Sequence, residues 1–457
     1  MENIIALQNP WKRGQAALTK KIIDRKIVPV IEPWLEEEEI VVVKGARQAG
    51  KTTILYCLIE TLLKRGIEAK NIFYFLLDNL RLQQRFSENP YALKDILETY
   101  IGEPLENYPH QIYVFLDEIQ KLCSFTNVVK EYFEIFKNIT FILSGSSVLQ
   151  LSASISESLR GRTVSFLVTP FSTGEIISHV ETIPFEDIVD YNRMKSHYSR
   201  LLPYKSEIEL RNNQQLVFGS MPRIFLSKDE TQKQIRLGEY LETFIRKDII
   251  ETLQIAKYLD FEKLLRLLSY QAGSVVNVSE LAQQTQLGHE VIRKYLTLGE
   301  ESFMFQFLAP FFSNKRKSLV KDRKLYFEDL GIRNSLAGKD SMSLLHKPNL
   351  GAEAENFVNI ILNKYFAINK MKMSKNFFRS YRGQEVDFVL EVECRLMPIE
   401  VKFQNQIKKR DYNHLILFMN DLLLTKGMII TRHNFGVEKF SEQEVILLPL
   451  WLFSMIV

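Results

Sequence analysis

The feature that most restricts the fold of this chain is an apolar run that leads into a glycine-rich loop and then into a helical pattern. The run IVVVK covers residues 40–44, and the loop GARQAGKT covers residues 45–52. After the loop, apolar residues recur at helical spacing from Leu55 to Leu63. A GxxxxGK[ST] loop between a strand and a helix turns its backbone N–H groups inward around a phosphate. The sequence therefore predicts an α/β domain with a phosphate-binding loop.

The residue types of this loop suit a nucleoside triphosphate with Mg²⁺. Lys51 would contact the β and γ phosphates, Thr52 would bind Mg²⁺, and the helix would present its N-terminus to the phosphates. An ordinary glycine turn is the alternative, but the flanking strand and helix disfavour it. We predict that ATP is bound by the following residues: Gly45, Ala46, Arg47, Gln48, Ala49, Gly50, Lys51, Thr52 and Thr53.

Three further apolar runs predict the other strands of the sheet. They are NIFYFLL at 71–77, QIYVFLDE at 111–118 and ITFILSGSS at 139–147. Helical stretches alternate with these runs, which is typical of a parallel sheet with both faces covered.

Polar residues end two of these predicted strands. Asp117 would complete the ATP site by holding the Mg²⁺ shell, and Glu118 would orient and deprotonate the water that attacks the γ phosphate. Ser144 and Ser146, at the end of the next strand, are candidates for sensing the γ phosphate. A serine turn that leaves a strand explains either serine equally well.

Residues 276–296, VNVSELAQQTQLGHEVIRKYL, have the spacing of a helix-turn-helix, with Ser279 as the predicted N-cap of the first helix. The alternating FMFQFL and the basic NKRKSLVKDRK at 314–324 would form a hairpin beside the second helix. Its side chains would neutralise DNA phosphates without reading sequence. A solvated loop on a packing module fits them equally well. The basic residues are Lys315, Arg316, Lys317, Lys321, Arg323 and Lys324.

The run MPIEVKFQ places Glu400 and Lys402 on one face of a strand, because residues two apart point the same way. In EVDFVLEV, Asp387 lies among apolar residues, so it must face water, a partner or a metal. Asp387 and Glu400 would bind Mg²⁺ or Mn²⁺, and Lys402 would stabilise the water that attacks a phosphodiester. An ion pair on a sheet edge is the alternative for Glu400 and Lys402.

Taken in order, the motifs resemble a prokaryotic family of AAA-type ATPases that carry a nuclease-like C-terminal domain. The C-terminal part is similar to the PD-(D/E)XK nuclease core, with Asp387, Glu400 and Lys402. The resemblance implies Glu355 as a further acid on a helix, with Glu353 as the alternative. The motifs are GARQAGKTT, LDEIQKL, LSGSS, SLRGRTVSFLVTPFS, YFEDLGIRN, EAENFV, QEVDFVLE and IEVK.

The resemblance implies an α/β fold in four parts. They are a P-loop AAA-type ATPase core at 1–185, a helical lid and connector at 186–260, a winged helix-turn-helix at 261–336, and a restriction-endonuclease-like α/β domain at 345–457. It also implies a homo-oligomer, for example a ring. In such an oligomer Arg162, or equally Arg160, would act on the nucleotide of a neighbouring subunit, and Arg223 would contact nucleotide from the lid.

Composition restricts the cellular setting and the partners. The formal net charge is +4 on 59 basic and 55 acidic residues, so any DNA-binding surface must be local. Cys57, Cys123 and Cys394 lack zinc-site spacing and suit a reducing compartment. The longest apolar run, VILLPLWLFSMIV at 445–457, is too short to span a membrane and predicts a buried strand.

We therefore expect a cytoplasmic, DNA-associated enzyme that hydrolyses ATP. The alternative is a nucleotide-driven switch or protein remodeller whose nuclease-like domain binds a partner and cuts nothing.

Overall fold

The computed structural model describes residues 2–18, 22–122, 125–145, 159–244, 258–312, 323–369, 373–380, 383–392 and 395–457. Contacts divide the chain into two compact units, Met1–Thr169 and Pro170–Val457. Residues 170–185, which the sequence analysis groups with the ATPase core, are therefore part of the second unit. No helix among the described residues is long and apolar enough to cross a membrane.

The first unit is built on five parallel strands in the order β2-β3-β4-β1-β5. The strands are β1 Ile40–Lys44, β2 Ile72–Leu76, β3 Ile112–Asp117, β4 Ile139–Gly145 and β5 Thr163–Leu167. Their apolar and β-branched runs explain this arrangement, because a parallel sheet buries both faces. In register, Val43 of β1 lies beside Ser144 of β4, and Leu76 of β2 lies beside Asp117 of β3. The carboxyl ends of these strands therefore meet along one edge, where the predicted nucleotide residues lie.

Helices surround this sheet. Those described in the first unit are α1 Glu2–Gln8, α2 Val28–Ile31, α3 Lys51–Lys64, α4 Leu80–Glu88, α5 Ala92–Ile101 and α6 Phe125–Ile135. α3 begins directly after Gly50 and buries apolar residues from Ile54 to Leu62.

The second unit is mainly helical before residue 370 and contains two sheets. Its described helices are α7 Thr173–Ile176, α8 Tyr191–Leu201, α9 Lys205–Phe218, α10 Pro222–Phe225, α11 Glu230–Thr243, α12 Tyr258–Tyr270, α13 Val278–Thr285, α14 His289–Glu301, α15 Leu330–Leu336, α16 Gly351–Asn369, α17 Asn413–Asp421 and α18 Leu450–Phe453. Its described strands are β6 Phe305–Leu308, β7 Lys324–Phe327, β8 Met373–Arg379, β9 Glu385–Val392, β10 Arg395–Lys402, β11 Lys426–Thr431, β12 Gly436–Phe440 and β13 Gln443–Pro449.

The larger sheet of the second unit has six strands in the order β12-β13-β11-β10-β9-β8. β10, β11 and β13 run parallel, whereas β8, β9 and β12 pair antiparallel to their neighbours. α16 packs with Ile399 and Met428 on one face, and α17 packs with Ile429 and Val445 on the other. β6 and β7 form a separate antiparallel pair.

Two sequence expectations are wrong in this unit. The predicted strand at 445–457 ends at Pro449, because proline offers no N–H to continue the ladder, and α18 follows. The N-cap of α13 is Asn277, not Ser279: the Asn277 side chain accepts hydrogen bonds from the N–H groups of Ser279 and Glu280. The helix begins one residue before the predicted cap.

Candidate functional site

The loop between β1 and α3 is shaped by its two glycines. A Cβ atom at Gly45 would lie 2.2 Å from the carbonyl oxygen of Val168, so only glycine fits against the end of β5. Gly50 has φ +102° and caps α3, a conformation that glycine adopts readily. Lys51 is buried, and its Nζ donates hydrogen bonds to the carbonyls of Gly45 at 3.0 Å and Ala46 at 2.9 Å. The lysine ammonium therefore lies against the loop whose backbone would surround a phosphate.

Asp117 is the centre of a hydrogen-bonded cluster at the carboxyl end of the sheet. Its Oδ2 accepts from the hydroxyl of Thr52 at 2.8 Å and from that of Tyr74 at 2.7 Å. Its Oδ1 accepts from the hydroxyl of Ser144. Asp117 and Ser144 are fully buried. The side chains of Thr52 and Asp117 thus lie together beside the loop and offer two oxygen ligands, as a Mg²⁺ site there requires.

Glu118 follows the strand in an unusual backbone conformation. Its φ is +60°, in the left-handed region that residues other than glycine seldom adopt. Its N–H donates to the hydroxyl of Ser144 at 3.3 Å, and its carboxylate accepts from the side chain of Gln120. The residue is half-buried. A strained residue held by neighbouring groups is common at active sites, and this conformation sets the direction of the Glu118 side chain.

Two residues of this site had no role in the sequence analysis. Tyr74 contacts Asp117 from β2, and burial together with that negative charge raises the pKa of its hydroxyl. Arg25 donates to the carbonyls of Ala49, at 3.0 Å, and Thr169, at 2.5 Å. A hydroxyl inside the apolar run NIFYFLL could have indicated Tyr74. No local pattern marks Arg25, because its partners lie far along the chain.

Three arginines, Arg160, Arg162 and Arg223, were predicted to act on the nucleotide. Arg162 forms an exposed ion pair with Glu134 at 2.7 Å, and its carbonyl accepts from the N–H of Ile40, at the amino end of β1. The phosphate-binding loop follows the opposite end of that strand. Arg160 is also exposed, and Arg223 is an exposed residue of α10 in the second unit.

Several predicted residues lie outside the described part of the chain. They are Ser146 and four of the hairpin cations, Lys315, Arg316, Lys317 and Lys321.

The C-terminal residues Asp387, Glu400 and Lys402 meet on β9 and β10. The N–H of Val401 donates to Asp387 Oδ2 at 2.8 Å, and the N–H of Asp387 donates to Glu400 Oε2 at 3.3 Å. Lys402 Nζ lies 2.6 Å from Glu400 Oε1. Asp387 and Glu400 are both buried. The sequence prediction that these three residues share a site therefore agrees with the geometry, and the Glu400–Lys402 ion pair is present within it.

Lys324 enters the same site from β7. Its Nζ lies 3.1 Å from Glu355 Oε1, 2.5 Å from Glu385 Oε1 and 3.6 Å from Asp387 Oδ1. Only 1% of Lys324 is exposed. The hairpin prediction placed Lys324 on a surface that contacts DNA, and the structure corrects it: three carboxylates hold this lysine inside the second unit. Arg323 does stay at the surface, paired with Glu300 at 3.7 Å.

The choice between the two helical acids is clear from their partners. Glu355 accepts from Lys324 and, at 2.5 Å, from the hydroxyl of Tyr326, so it belongs to the Asp387 cluster. Glu353 is buried in an ion pair with Arg333 at 2.6 Å. Tyr326 and Glu385 join the site without having been predicted.

Burial dominates the electrostatics of this second cluster. Burial, followed by the nearby charge of Asp387, raises the pKa of Glu355 and of Glu400 above the ordinary carboxyl value. Burial also raises the pKa of Tyr326, and Glu355 adds to the effect. Burial opposes the charge of Lys324, but the carboxylates around it raise its pKa above the ordinary value. The lysine is therefore held as an ammonium ion.

The donor set fits a divalent cation poorly. Each carboxylate oxygen of Asp387 and Glu400 already contacts an N–H group or an ammonium: Val401 and Lys324 at Asp387, Lys402 and Asp387 at Glu400. In the part of the chain that the structure describes, no group of three or more acidic, histidine or cysteine side chains is arranged to hold a metal.

A family model matches the part of the chain that contains the first site. Residues 37–177 match the family model of an AAA domain. This part of the chain is similar to AAA-type P-loop ATPase domains. The sequence prediction is confirmed for the AAA domain, and the nuclease-like domain stays a prediction. Residues 210–343 and 350–453 match models described as Domain of unknown function (DUF8612) and Domain of unknown function (DUF4143).

Two relatives match this chain over nearly its whole length. An uncharacterized protein of Methanocaldococcus jannaschii is 26% identical over 453 residues, covering 96% of this chain and 93% of the relative. An uncharacterized protein of Haemophilus influenzae is 22% identical over 446 residues, covering 95% and 100%. Among solved structures, a Walker-type ATPase of Pyrococcus abyssi matches with a TM-score of 0.43 and 13% identity, covering 70% of this chain and 99% of that one.

Proposed function

We propose that this protein binds ATP with Mg²⁺ and hydrolyses it at the loop of its AAA domain. The observation that carries the proposal is the cluster in which Thr52, Tyr74 and Ser144 all donate to Asp117, directly beside the loop that holds Lys51. Three hydroxyls fix the orientation of one buried carboxylate. Such an arrangement suits a metal-bound nucleotide better than a structural turn.

The proposed roles follow from the chemistry of each side chain. Lys51 binds the phosphates, and Thr52 and Asp117 hold Mg²⁺, which when bound neutralises charge on the phosphates. Glu118 orients the attacking water and accepts its proton. Ser144 positions both Asp117 and the N–H of Glu118, so its first role is to hold the acid pair; sensing of the γ phosphate remains the proposal for Ser146.

The test separates binding from hydrolysis. We expect Lys51→Ala to weaken ATP binding by about 100-fold, because a charge-assisted contact to phosphate is lost. We expect Glu118→Gln to bind ATP with unchanged affinity while hydrolysis falls by about 10²- to 10⁴-fold. Binding is measured with a fluorescent ATP analogue, and hydrolysis by phosphate release. Lys64→Ala, an exposed lysine on the same helix, is the matched control. Normal turnover by Glu118→Gln would exclude Glu118 as the base.

We also propose that residues 345–457 have a nuclease-like fold. The order of elements supports this: α16 precedes the antiparallel strands β8, β9 and β10, and α17 then leads to β11, which lies parallel to β10. The meeting of Asp387, Glu400 and Lys402 at the ends of β9 and β10 is further support.

We propose that this domain binds without cutting, because the ammonium of Lys324 lies among the carboxylates that a metal would need. Wild type and Asp387→Ala should both leave supercoiled and linear DNA intact in Mg²⁺ or Mn²⁺, with or without ATP. Cleavage by wild type that is lost in Asp387→Ala would refute this part of the proposal.

DNA remains the proposed partner, through a winged helix formed by α12–α14 and the β6–β7 pair. Support comes from α14, the second helix of the turn, which exposes Arg293 and Lys294. Phosphate contacts by such residues would make duplex binding fall steeply as salt rises. Fluorescence anisotropy with a labelled duplex measures this dependence. Absence of binding at low salt would contradict the assignment and favour a protein partner.

A further inference from the structure

The acidic cluster of the second unit contains a positive charge of its own. The Nζ of Lys324 contacts three carboxylates, those of Glu355, Glu385 and Asp387, at 2.5 to 3.6 Å. These acids come from α16 and β9, whereas the lysine comes from β7, a strand of the separate two-stranded sheet. A lysine so far from the acids along the chain is placed among them only by the folding of the whole second unit.

The backbone around Lys324 fixes the position of its side chain. Lys324 pairs with Leu308 on β6, and its backbone also forms a β-bridge with Val275 on the other side of β7. Two residues further along β7, Tyr326 points the same way and donates its hydroxyl to Glu355. The ring of Phe377 lies 5.4 Å from the ammonium. β7 thus delivers two hydrogen-bond donors to the acids from one rigid strand.

The position of the ammonium conflicts with a divalent cation. Mg²⁺ needs oxygen ligands at about 2.0–2.1 Å in near-octahedral geometry and keeps several waters. The Lys324 ammonium already contacts the oxygens of Glu355 and Asp387 that would serve. Two cations a few ångströms apart in a buried site also repel strongly, because screening by water is weak there. The same carboxylates cannot hold both ions at once.

We propose that the ammonium of Lys324 is the resident cation of this cluster and takes the place of a metal ion. It neutralises the carboxylates of Glu355, Glu385 and Asp387 and joins β7 to the six-stranded sheet. The cluster binds no divalent cation while Lys324 is in place. Once the lysine is removed, the carboxylates of the same acids move together around a metal ion. No residue is shared with the ATP site, so the inference is independent of ATP hydrolysis.

The second unit offers a control in another lysine, which is half-buried. Lys375 of β8 donates to the side-chain oxygens of Asn359 and, at 2.5 Å, Asn363. Burial lowers its pKa to about 7, and the one carboxylate that acts against this effect is that of Glu328. One carboxylate does not make a metal site. Lys375→Ala therefore removes a lysine side chain from the second unit without leaving a cluster of acids behind.

The experiment measures Mn²⁺ binding by the full-length, nucleotide-free protein. Wild type and Lys375→Ala should show no Mn²⁺ bound at the Asp387 cluster by electron paramagnetic resonance. Lys324→Ala should bind about one equivalent, and Lys324→Ala/Asp387→Ala should bind none. Mn²⁺ should also raise the melting temperature of Lys324→Ala by roughly 5 °C and leave wild type unchanged, because a ligand of the native state stabilises it.

Two results would overturn the proposal. One is an equivalent of Mn²⁺ on wild type that disappears in Asp387→Ala, which would show that metal and lysine coexist. The other is Lys324→Ala that folds and binds no Mn²⁺. Should Lys324→Ala not fold, Lys324→Gln, which keeps most of the side-chain volume, is measured in the same way, and the wild-type measurement still decides between metal and lysine.

Discussion

At the scale of single residues, two opposing effects act on the pKa of Lys12. Its Nζ donates to the carbonyls of Ala69 at 3.1 Å and Lys70 at 2.9 Å, and lies 3.6 Å from the ring centroid of Phe73. Burial lowers the pKa of Lys12 to about 7. The ring face of Phe73 favours the charged form and acts in the opposite direction.

This pKa predicts how stability depends on pH. In the unfolded chain the lysine holds its proton up to pH 10.5, whereas in the folded protein it releases the proton above about pH 7. Between these values the unfolded chain binds more protons, so the free energy of unfolding should rise with pH. Lys12→Met should remove this rise, as measured by urea unfolding at several pH values.

The exposed Lys64 provides the control, since Lys64→Met should keep the wild-type pH dependence. Equal slopes for wild type and Lys12→Met would mean that Phe73 keeps the ammonium charged despite its burial.

The roles of single residues could be predicted where a local sequence motif fixes both the residue type and its position. Lys51, Thr52 and Asp117 follow from loop and strand-end patterns, because the backbone of a strand-loop-helix unit fixes where they point. Lys324 could not be predicted in the same way. In NKRKSLVKDRK it resembles the other basic residues. Only the packing of β7 within the second unit buries it.

At the scale of elements, the outer edge of β2 is covered by side chains of the N-terminal segment. Asn9 accepts from the N–H of Tyr74 at 2.7 Å and donates to its carbonyl at 2.9 Å, as a neighbouring strand would. Gln8 accepts from the N–H of Leu76, and the indole of Trp11 donates to the carbonyl of Ile72. An edge strand with free backbone groups invites pairing with other chains, and these side chains prevent it.

Asn9→Ala should therefore destabilise the first unit. It leaves buried backbone groups of Tyr74 without partners, which we expect to cost about 2–4 kcal/mol in the free energy of unfolding. Chemical denaturation measures the loss. Asn3→Ala, an exposed asparagine on α1, should change stability little. An equal, small effect of both variants would show that the Asn9 contacts do not hold the segment on β2.

Four of the five strands of the first sheet, β1 to β4, were predictable because each is a short apolar run bounded by polar residues. The fifth strand, β5, was not predicted, because its run TVSFL mixes polar with apolar residues. β1 agrees with its predicted range, and β2, β3 and β4 begin and end within two residues of theirs. The edge contacts of Asn9 and Trp11 were not predictable, since NPW in an isolated sequence gives no sign of its partner strand. Local periodicity identifies an element and leaves its neighbours undetermined.

At the scale of the whole molecule, motif order predicted two sites in different parts of the chain. That order follows the covalent sequence and is visible directly. The composition of each site depends on folding: Arg25 reaches the loop from 24 residues away, and Lys324 reaches Glu355 from 31. Such partners are determined by packing across a unit, which no short pattern records.

Arg162 lies at the end of the first sheet opposite to the phosphate-binding loop. Its carbonyl pairs with Ile40 at the amino end of β1, and the loop with Lys51 follows the carboxyl end, about 16 Å away for a five-residue strand. The side chain cannot span that distance to a nucleotide on the same chain. Any action of Arg162 on ATP must therefore occur across an interface with another copy.

Mixing two inactive variants tests this. Arg162→Ala should bind ATP normally and hydrolyse it slowly, because the neighbouring subunit's site lacks its arginine. Glu118→Gln should also bind ATP and hydrolyse it slowly, because its own site lacks the base. In a head-to-tail assembly of equal parts, about one quarter of the sites would combine an intact Glu118 with a neighbour's intact Arg162. Phosphate release should therefore recover to about that fraction of the wild-type rate. Arg160→Ala is the control, and recovery that requires Arg160 in place of Arg162 would reassign the role. No recovery on mixing would show that Arg162 supports the fold of its own subunit through Glu134.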